Sequence, residues 1–541
     1  MGLAGLTHSG TASAVDVELS STTAAQSYDV GSPWGYRLER RRLLQTVGFS
    51  LYHLQGDAKP GEPDYNLRVL GRVDADFGIG NQLPSDQADA ETSFDVARGS
   101  NFVPGLAIAR FDLMYAYIEG KNLADGWLGF KAGRQYVTDA LGWWSFDGGL
   151  VRVSTPFYLD VEAYGGLEQR GGLPLSTSRY ESQGVWRGAR AGFDEAEGPR
   201  SSDYPSYQFA AVAPAFGAAL ESAGPSWVHA RLSYRRVYNT GEAFTSQFPV
   251  PAGGGYPTVD GLRLSSERVG WAGYVNKPDL GGLKGGLSYD LYNETFATAY
   301  GGVEVYAGDK VTIGADADHY RPTFDADSIF NWFTHEPSTT ATGRVAVRFT
   351  KEIDLAASGG ARLWATEGDP EELGGIQCRA LNLPKDCFET AVVDPTKVDP
   401  INAGPSGTRL ADVTSADENR PTVYEVDGLG QLAARYRSTL GSVELRSMVQ
   451  AGARGHRVGG DAGGEKLFDG GRYALGGRFS VYDFTDPRAE NDHTTSFGYV
   501  VGGGYKPIDI TRLGAEWEHD INARVGQRFR VLARLDILWV R

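Results

Sequence analysis

The feature that most constrains this chain is a period of two in its hydropathy, sustained over runs too long for an ordinary soluble strand. Between residues 65 and 79, Tyr65, Leu67, Val69, Val73, Ala75, Phe77 and Ile79 fall on one face, and Asn66, Arg68, Arg72, Asp74 and Asp76 on the other. A helix would mix the two sets, whereas a strand separates them. Soluble strands average about 5–6 residues, and a tilted membrane strand needs about 9–11. The pattern recurs where Val311, Ile313 and Ala315 alternate with Thr312, Asp316 and Asp318, and where Val345, Val347 and Phe349 alternate with Arg344 and Arg348. It recurs again over 443–454 and over 529–539.

Short connections at 307–310, 350–352 and 438–441 coexist with long polar stretches at 80–104, 168–206, 239–260, 320–341, 366–423 and 456–472. Short periplasmic turns and long outer loops are the asymmetry of an outer-membrane barrel. The 541 residues exceed what one soluble core holds, about 250–300. A mean hydropathy of −0.32 goes with the lack of any apolar run long enough for a membrane helix. The expected fold is therefore all-β: a single transmembrane antiparallel barrel of about 18 strands (roughly 16–20) in the outer membrane of a Gram-negative bacterium. The barrel would occupy 15–541, with its longest loop at 366–423. Ala12-Ser13-Ala14 has the form of a signal-peptidase site, so 1–14 reads as the remnant of a signal peptide, the alternative being a disordered N-terminus. Tyr115, Tyr117, Trp127, Trp227, Trp271, Trp517 and Trp539 are candidates for interfacial girdles, or else for ordinary packing.

No HExxH, G-x-S-x-G or P-loop is present, so neither enzyme chemistry nor a cofactor or metal site is expected. His319 lies close to Asp316 and Asp318 but on the opposite parity. A net charge of −16 argues against nucleic acid as a partner. Cys378 and Cys387 read as a disulfide within one exported loop. The lumen carries the informative chemistry. On the polar parity stand Arg68, Arg72, Lys131, Arg152, Arg344, Arg348, Arg446 and Arg454, nearly balanced by acids. Two readings are open: a lumen crossed by ion pairs, or a locally basic constriction for an anionic solute.

Gly133-Arg134-Gln135, followed by Trp143-Trp144-Ser145-Phe146-Asp147-Gly148 and Val151-Arg152-Val153, resembles the alginate-export family of outer-membrane barrels. The stretches Tyr505-Lys506-Pro507, Leu513 to Asp520 and Arg528 to Leu535 are similar to integral barrels of Wzy-dependent polysaccharide secretion. The resemblance implies an 18-stranded channel exporting an anionic exopolysaccharide, with Arg134, Asp147 and Arg152 at matching positions. It also implies a periplasmic polysaccharide-export protein as partner, beside outer-membrane lipids, lipopolysaccharide and the barrel-assembly machinery. The alternatives are a diffusion porin for small anions or nutrients, and a structural barrel of a surface or motility complex.

Overall fold

A computed structural model describes residues 15–31, 37–56, 59, 61–76, 80–82, 110–169, 213–224, 226–240, 243–244, 258–259, 261–323, 336–366, 423–485, 493–523 and 526–541. Twenty-two antiparallel strands make the wall. The first group is β1 (Asp16–Gly31), β2 (Arg37–Tyr52), β3 (Asp64–Asp76), β4 (Arg110–Leu123), β5 (Leu128–Asp139), β6 (Gly142–Ser154) and β7 (Leu159–Glu168). Next come β8 (Pro214–Ser222), β9 (Val228–Asn239), β10 (Arg263–Lys277), β11 (Gly281–Asp290), β12 (Thr295–Ala307), β13 (Val311–Tyr320), β14 (Ser338–Arg348) and β15 (Ile353–Thr366). The ring is completed by β16 (Val423–Ser438), β17 (Gly441–Gly452), β18 (Gly455–Phe468), β19 (Tyr473–Thr485), β20 (His493–Ile508), β21 (Thr511–Asn522) and β22 (Gly526–Val540).

Each strand pairs with its neighbours in sequence, and β1 pairs with β22 from Glu18–Val540 to Gly31–Gln527, closing the barrel. Closure leaves neither the first nor the last strand with an open edge, as a membrane wall requires. The register carries one parity around the ring. Val161, Leu220, Leu232, Ile313, Val345, Leu445 and Val501 project outward and are exposed. Arginines and carboxylates take the inward parity. An apolar belt outside a closed barrel makes this an integral outer-membrane protein.

The expected strand number of about 18 is corrected to 22. One cause is 456–472, expected to be a loop, which is largely β18. Its outward positions include Gly460, Ala462 and Gly464, too small to produce a visible apolar alternation. The Ser-, Thr- and Ala-rich β1 is faint for the same reason. Trp271, Trp517 and Trp539 do face outward, but Tyr117 is a buried lumen residue, because it shares the parity of Arg68. His319 faces outward on Thr339. The suggested signal segment and the Cys378–Cys387 disulfide lie outside the described residues.

Candidate functional site: the lumen and its inturned hairpin

The polar parity becomes the lining of the lumen, and most of its cations meet a carboxylate on an adjacent strand. Lys131 lies 3.5 Å from Glu119. Arg152 reaches Asp160 at 2.6 Å and Glu221 at 3.3 Å, while Arg231 bridges Glu162 at 2.5 Å and Glu221 at 2.8 Å. Across the barrel Arg344 pairs with Glu304, Arg348 with Asp354 at 3.7 Å, and Arg446 with Asp461 at 3.5 Å. Arg68 stacks over the Tyr52 ring at 5.1 Å, and Arg72 is buried. Such ladders hold long side chains extended and keep the local field modest.

Arg454 sits in the outer turn between β17 and β18, not on the wall. It stacks on Trp364 at 4.3 Å and binds Glu425 at 2.6 Å and Glu336 at 2.7 Å. Trp364 Nε1 and Gln450 Nε2 in turn donate to the buried Asp427 at 2.9 and 3.0 Å. Burial opposes the Arg454 charge, but its hydrogen bonds to Glu336 and Glu425 outweigh that and raise its pKa. This residue ties the outer rim together.

Three inward arginines, Arg435, Arg478 and Arg512, have no ion-pair partner among the described residues. Arg478 and Arg512 border a cavity of about 420 Å³ floored by Gly476, Gly502, Gly504 and Gly514 and shared with Glu516 and Arg534. With no side chains on its floor, this trough lets a solute approach the wall while guanidinium groups stand at its sides.

Among the described strands, the wall is interrupted between β4 and β5. The β4–β5 ladder ends at Ala116–Arg134, although β5 runs on to Asp139 and pairs with β6 over its whole length. At the break Gly133 has φ 123°, and a Cβ there would lie 2.3 Å from the Ala116 carbonyl oxygen. Only glycine fits this turn. Beyond it the β5–β6 hairpin leans into the lumen. Its tip residues Ala140 and Leu141 reach Gly270 of β10, where a Cβ would meet Leu141 Cδ2 at 2.7 Å. In an upright wall β6 and β10 stand four strands apart, about 19 Å. The lean is fixed by Arg235 of β9, which binds Asp139 at 3.1 Å and lies over the Trp144 ring at 5.1 Å. Trp144 stacks on Phe146 at 4.3 Å, and both pack with Val137, Leu150, Tyr164, Ala215 and Val237. The inturned hairpin therefore buries an apolar cluster inside an otherwise polar lumen.

The opposite face of the hairpin carries Arg134, Tyr136, Trp143 and Asp147. Arg134 grips Asp147 through two bonds of 2.6 and 2.7 Å, a charge-assisted fork. The residues matched to the export family thus divide: Arg134 and Asp147 brace the bend, whereas Arg152 stays in the wall ladder. Sequence reading did not single out Asp139, Arg235, Trp144 and Phe146 as a unit. The available signal was glycine recurring at 133, 148, 165, 166 and 217, on five places of four successive strands.

No known family profile matches the chain, and no curated protein matches its sequence. Among solved structures it is similar to OccAB1 of Acinetobacter baumannii, at 9% identity and a TM-score of 0.38 over 97% of this chain and 96% of that one. It is also similar to OpdK of Pseudomonas aeruginosa, solved with vanillate, at 9% identity and a TM-score of 0.39 over 97% and 99%. A third is OccK2 (OpdF) of Pseudomonas aeruginosa, in complex with glucuronate, at 9% identity and 0.38 over 97% and 98%. The resemblance to polysaccharide exporters finds no support among these likenesses. Scores this modest leave the functional reading to the chain's own geometry.

Proposed function

We propose that this protein is a passive outer-membrane diffusion channel for small solutes bearing a carboxylate. The observation that carries the reading is the β5–β6 hairpin, folded inward onto β9 and β10 in a lumen lined by arginine–carboxylate ladders. The hairpin narrows the path. The guanidinium groups offer a planar fork that matches a carboxylate, and each is already engaged by a wall acid or spaced from its neighbours, so a solute exchanges partners without being trapped. Arg435, Arg478 and Arg512 supply cations that no described carboxylate occupies. An ion pair and an apolar cluster within the chain itself fix the hairpin in the lumen, and a standing constriction of this kind favours passive diffusion of small solutes over polymer export.

The test is planar-bilayer recording with purified protein, joined to swelling of proteoliposomes in small organic acids. Wild type should conduct steadily and admit monocarboxylates faster than neutral sugars of similar size. Arg435→Glu/Arg478→Glu/Arg512→Glu should shift the reversal potential toward cations and slow carboxylate entry about tenfold. A silent wild-type protein, or a triple variant of unchanged selectivity, would overturn the proposal. Loss of surface polymer in cells carrying the variant would restore the export reading.

A further inference from the structure

The inward lean of β5 leaves a consequence in the wall itself. Among the described residues, β4 above Ala116–Arg134 pairs only with β3, as at Tyr115–Leu70 and Leu113–Gly71, and β5 pairs only with β6. Two strand edges thus stand side by side with no ladder between them. Side chains close the seam instead. Arg134 Nη1 donates to the backbone carbonyl of Leu113 at 2.9 Å. Tyr136 contacts Tyr115 at 5.9 Å and Trp143 at 5.8 Å, and Tyr115 contacts Tyr117 at 5.8 Å. Tyr136 and Trp143 remain substantially exposed. Bare strand edges do not face lipid; they occur at membrane depth only where protein or a water-filled cavity covers them.

The height of the seam follows from the strand. The paired part of β4, Ala116–Leu123, climbs roughly 18 Å at ~3.3 Å per residue and ~45° of tilt, out of an apolar belt of about 25 Å. The seam therefore opens toward the outer leaflet. Below it Ile118 faces outward and is exposed, and on the lumen side stand Tyr117, Lys131 and Arg68. A chain of aromatic rings thus runs from Trp143 and Tyr136, on the outward parity of the hairpin, through Tyr115 to Tyr117 beside the lumen cations.

We infer that the β4–β5 seam is a lateral portal through which an acidic single-chain amphiphile passes between the lumen and the outer leaflet. The acyl or aromatic body lies along Tyr115, Tyr136 and Trp143, and the carboxylate points to the cations of the lumen. This goes beyond the diffusion reading and does not depend on it. Rotation of Arg134 and two tyrosine rings opens the seam without breaking a ladder hydrogen bond, which a gate between paired strands would require.

The experiment uses full-length protein in proteoliposomes, with Cys378→Ser and Cys387→Ser as background. Tyr115→Cys/Tyr136→Cys is bridged by a short bis-maleimide, and a mono-maleimide provides the unbridged control. The probe is a benzophenone-bearing alkyl carboxylate, mapped by mass spectrometry after irradiation. Labelling should concentrate on 113–116 in the unbridged protein and fall about tenfold on bridging, with potassium chloride conductance unchanged. Equal labelling of bridged and unbridged protein, or labelling spread evenly around the belt, would overturn the portal. Absence of conductance from both would remove the diffusion reading while leaving the portal judged by labelling alone.

Discussion

The pair Asp139–Arg235 shows what a buried charge does inside a wide water-filled barrel. The Asp139 side chain is fully covered and that of Arg235 is 10% exposed, so removing either partner strands the other. Arg235→Ala should weaken the hairpin's hold by about 3–5 kcal/mol, the usual cost of an orphaned buried charge. Single-channel recording should then show larger and noisier conductance, because the hairpin no longer rests on β9. Replacing both partners, Asp139→Leu with Arg235→Met, should recover most of the quiet trace, since an apolar pair of similar volume extends the Trp144–Phe146 cluster. Gly133 is as demanding in its own way. Gly133→Val forces a β-branched residue to a positive φ and against the Ala116 carbonyl, at about 1–3 kcal/mol of backbone strain before the clash is counted. The expected outcome is a lower unfolding temperature in detergent and lost contact between Leu141 and β10, readable as easier thiol labelling of Leu141→Cys.

Among the elements, some could be read from the chain and some could not. Strands β13, β14, β17 and β22 were legible because large apolar residues fill their outward positions, as Ile313, Val345, Leu445 and Val531 do. The inward placement of Arg68, Lys131, Arg152, Arg344, Arg348 and Arg446 followed from the same parity. Strand β18 was hidden, since glycine and alanine face the lipid there, and a period of two needs contrast to be seen. The inturned hairpin was hidden for another reason: the parity of β5 and β6 continues unbroken through the bend, so alternation cannot report that the whole element leaves the wall. Only the contacts of Leu141 and Asp139 with strands remote in sequence reveal it, and these are tertiary facts. The ladder itself makes a prediction at this scale. Arg68→Glu/Arg72→Glu/Arg152→Glu places like charges beside Glu119, Asp160 and Glu162 and should reduce anion permeability about tenfold while leaving assembly intact, as judged by migration of unheated protein on SDS gels.

As a whole molecule the barrel should shift in mobility on SDS gels when heated, because its wall is a closed hydrogen-bonded ring whose ladder lapses only above Ala116–Arg134 among the described strands. Its orientation is also testable on intact cells. A cysteine placed at Gly308, in a short turn on the side of the chain termini, should resist an impermeant maleimide, whereas one at Ala453, in the turn beside Arg454, should react. The ring has one further consequence, which concerns time. Thr22 donates to Asp536 at 2.8 Å across 514 positions of sequence, and β1 meets β22 along nearly its full length. The first strand made therefore waits for the last before its open side is satisfied. A seam of such separation makes folding slow and non-local. In the interval two unpaired edges are available to any other chain, the condition that invites edge-to-edge association. Loss of β22 alone would leave both edges permanently unmatched, so the species at risk is the nearly finished chain more than the early one.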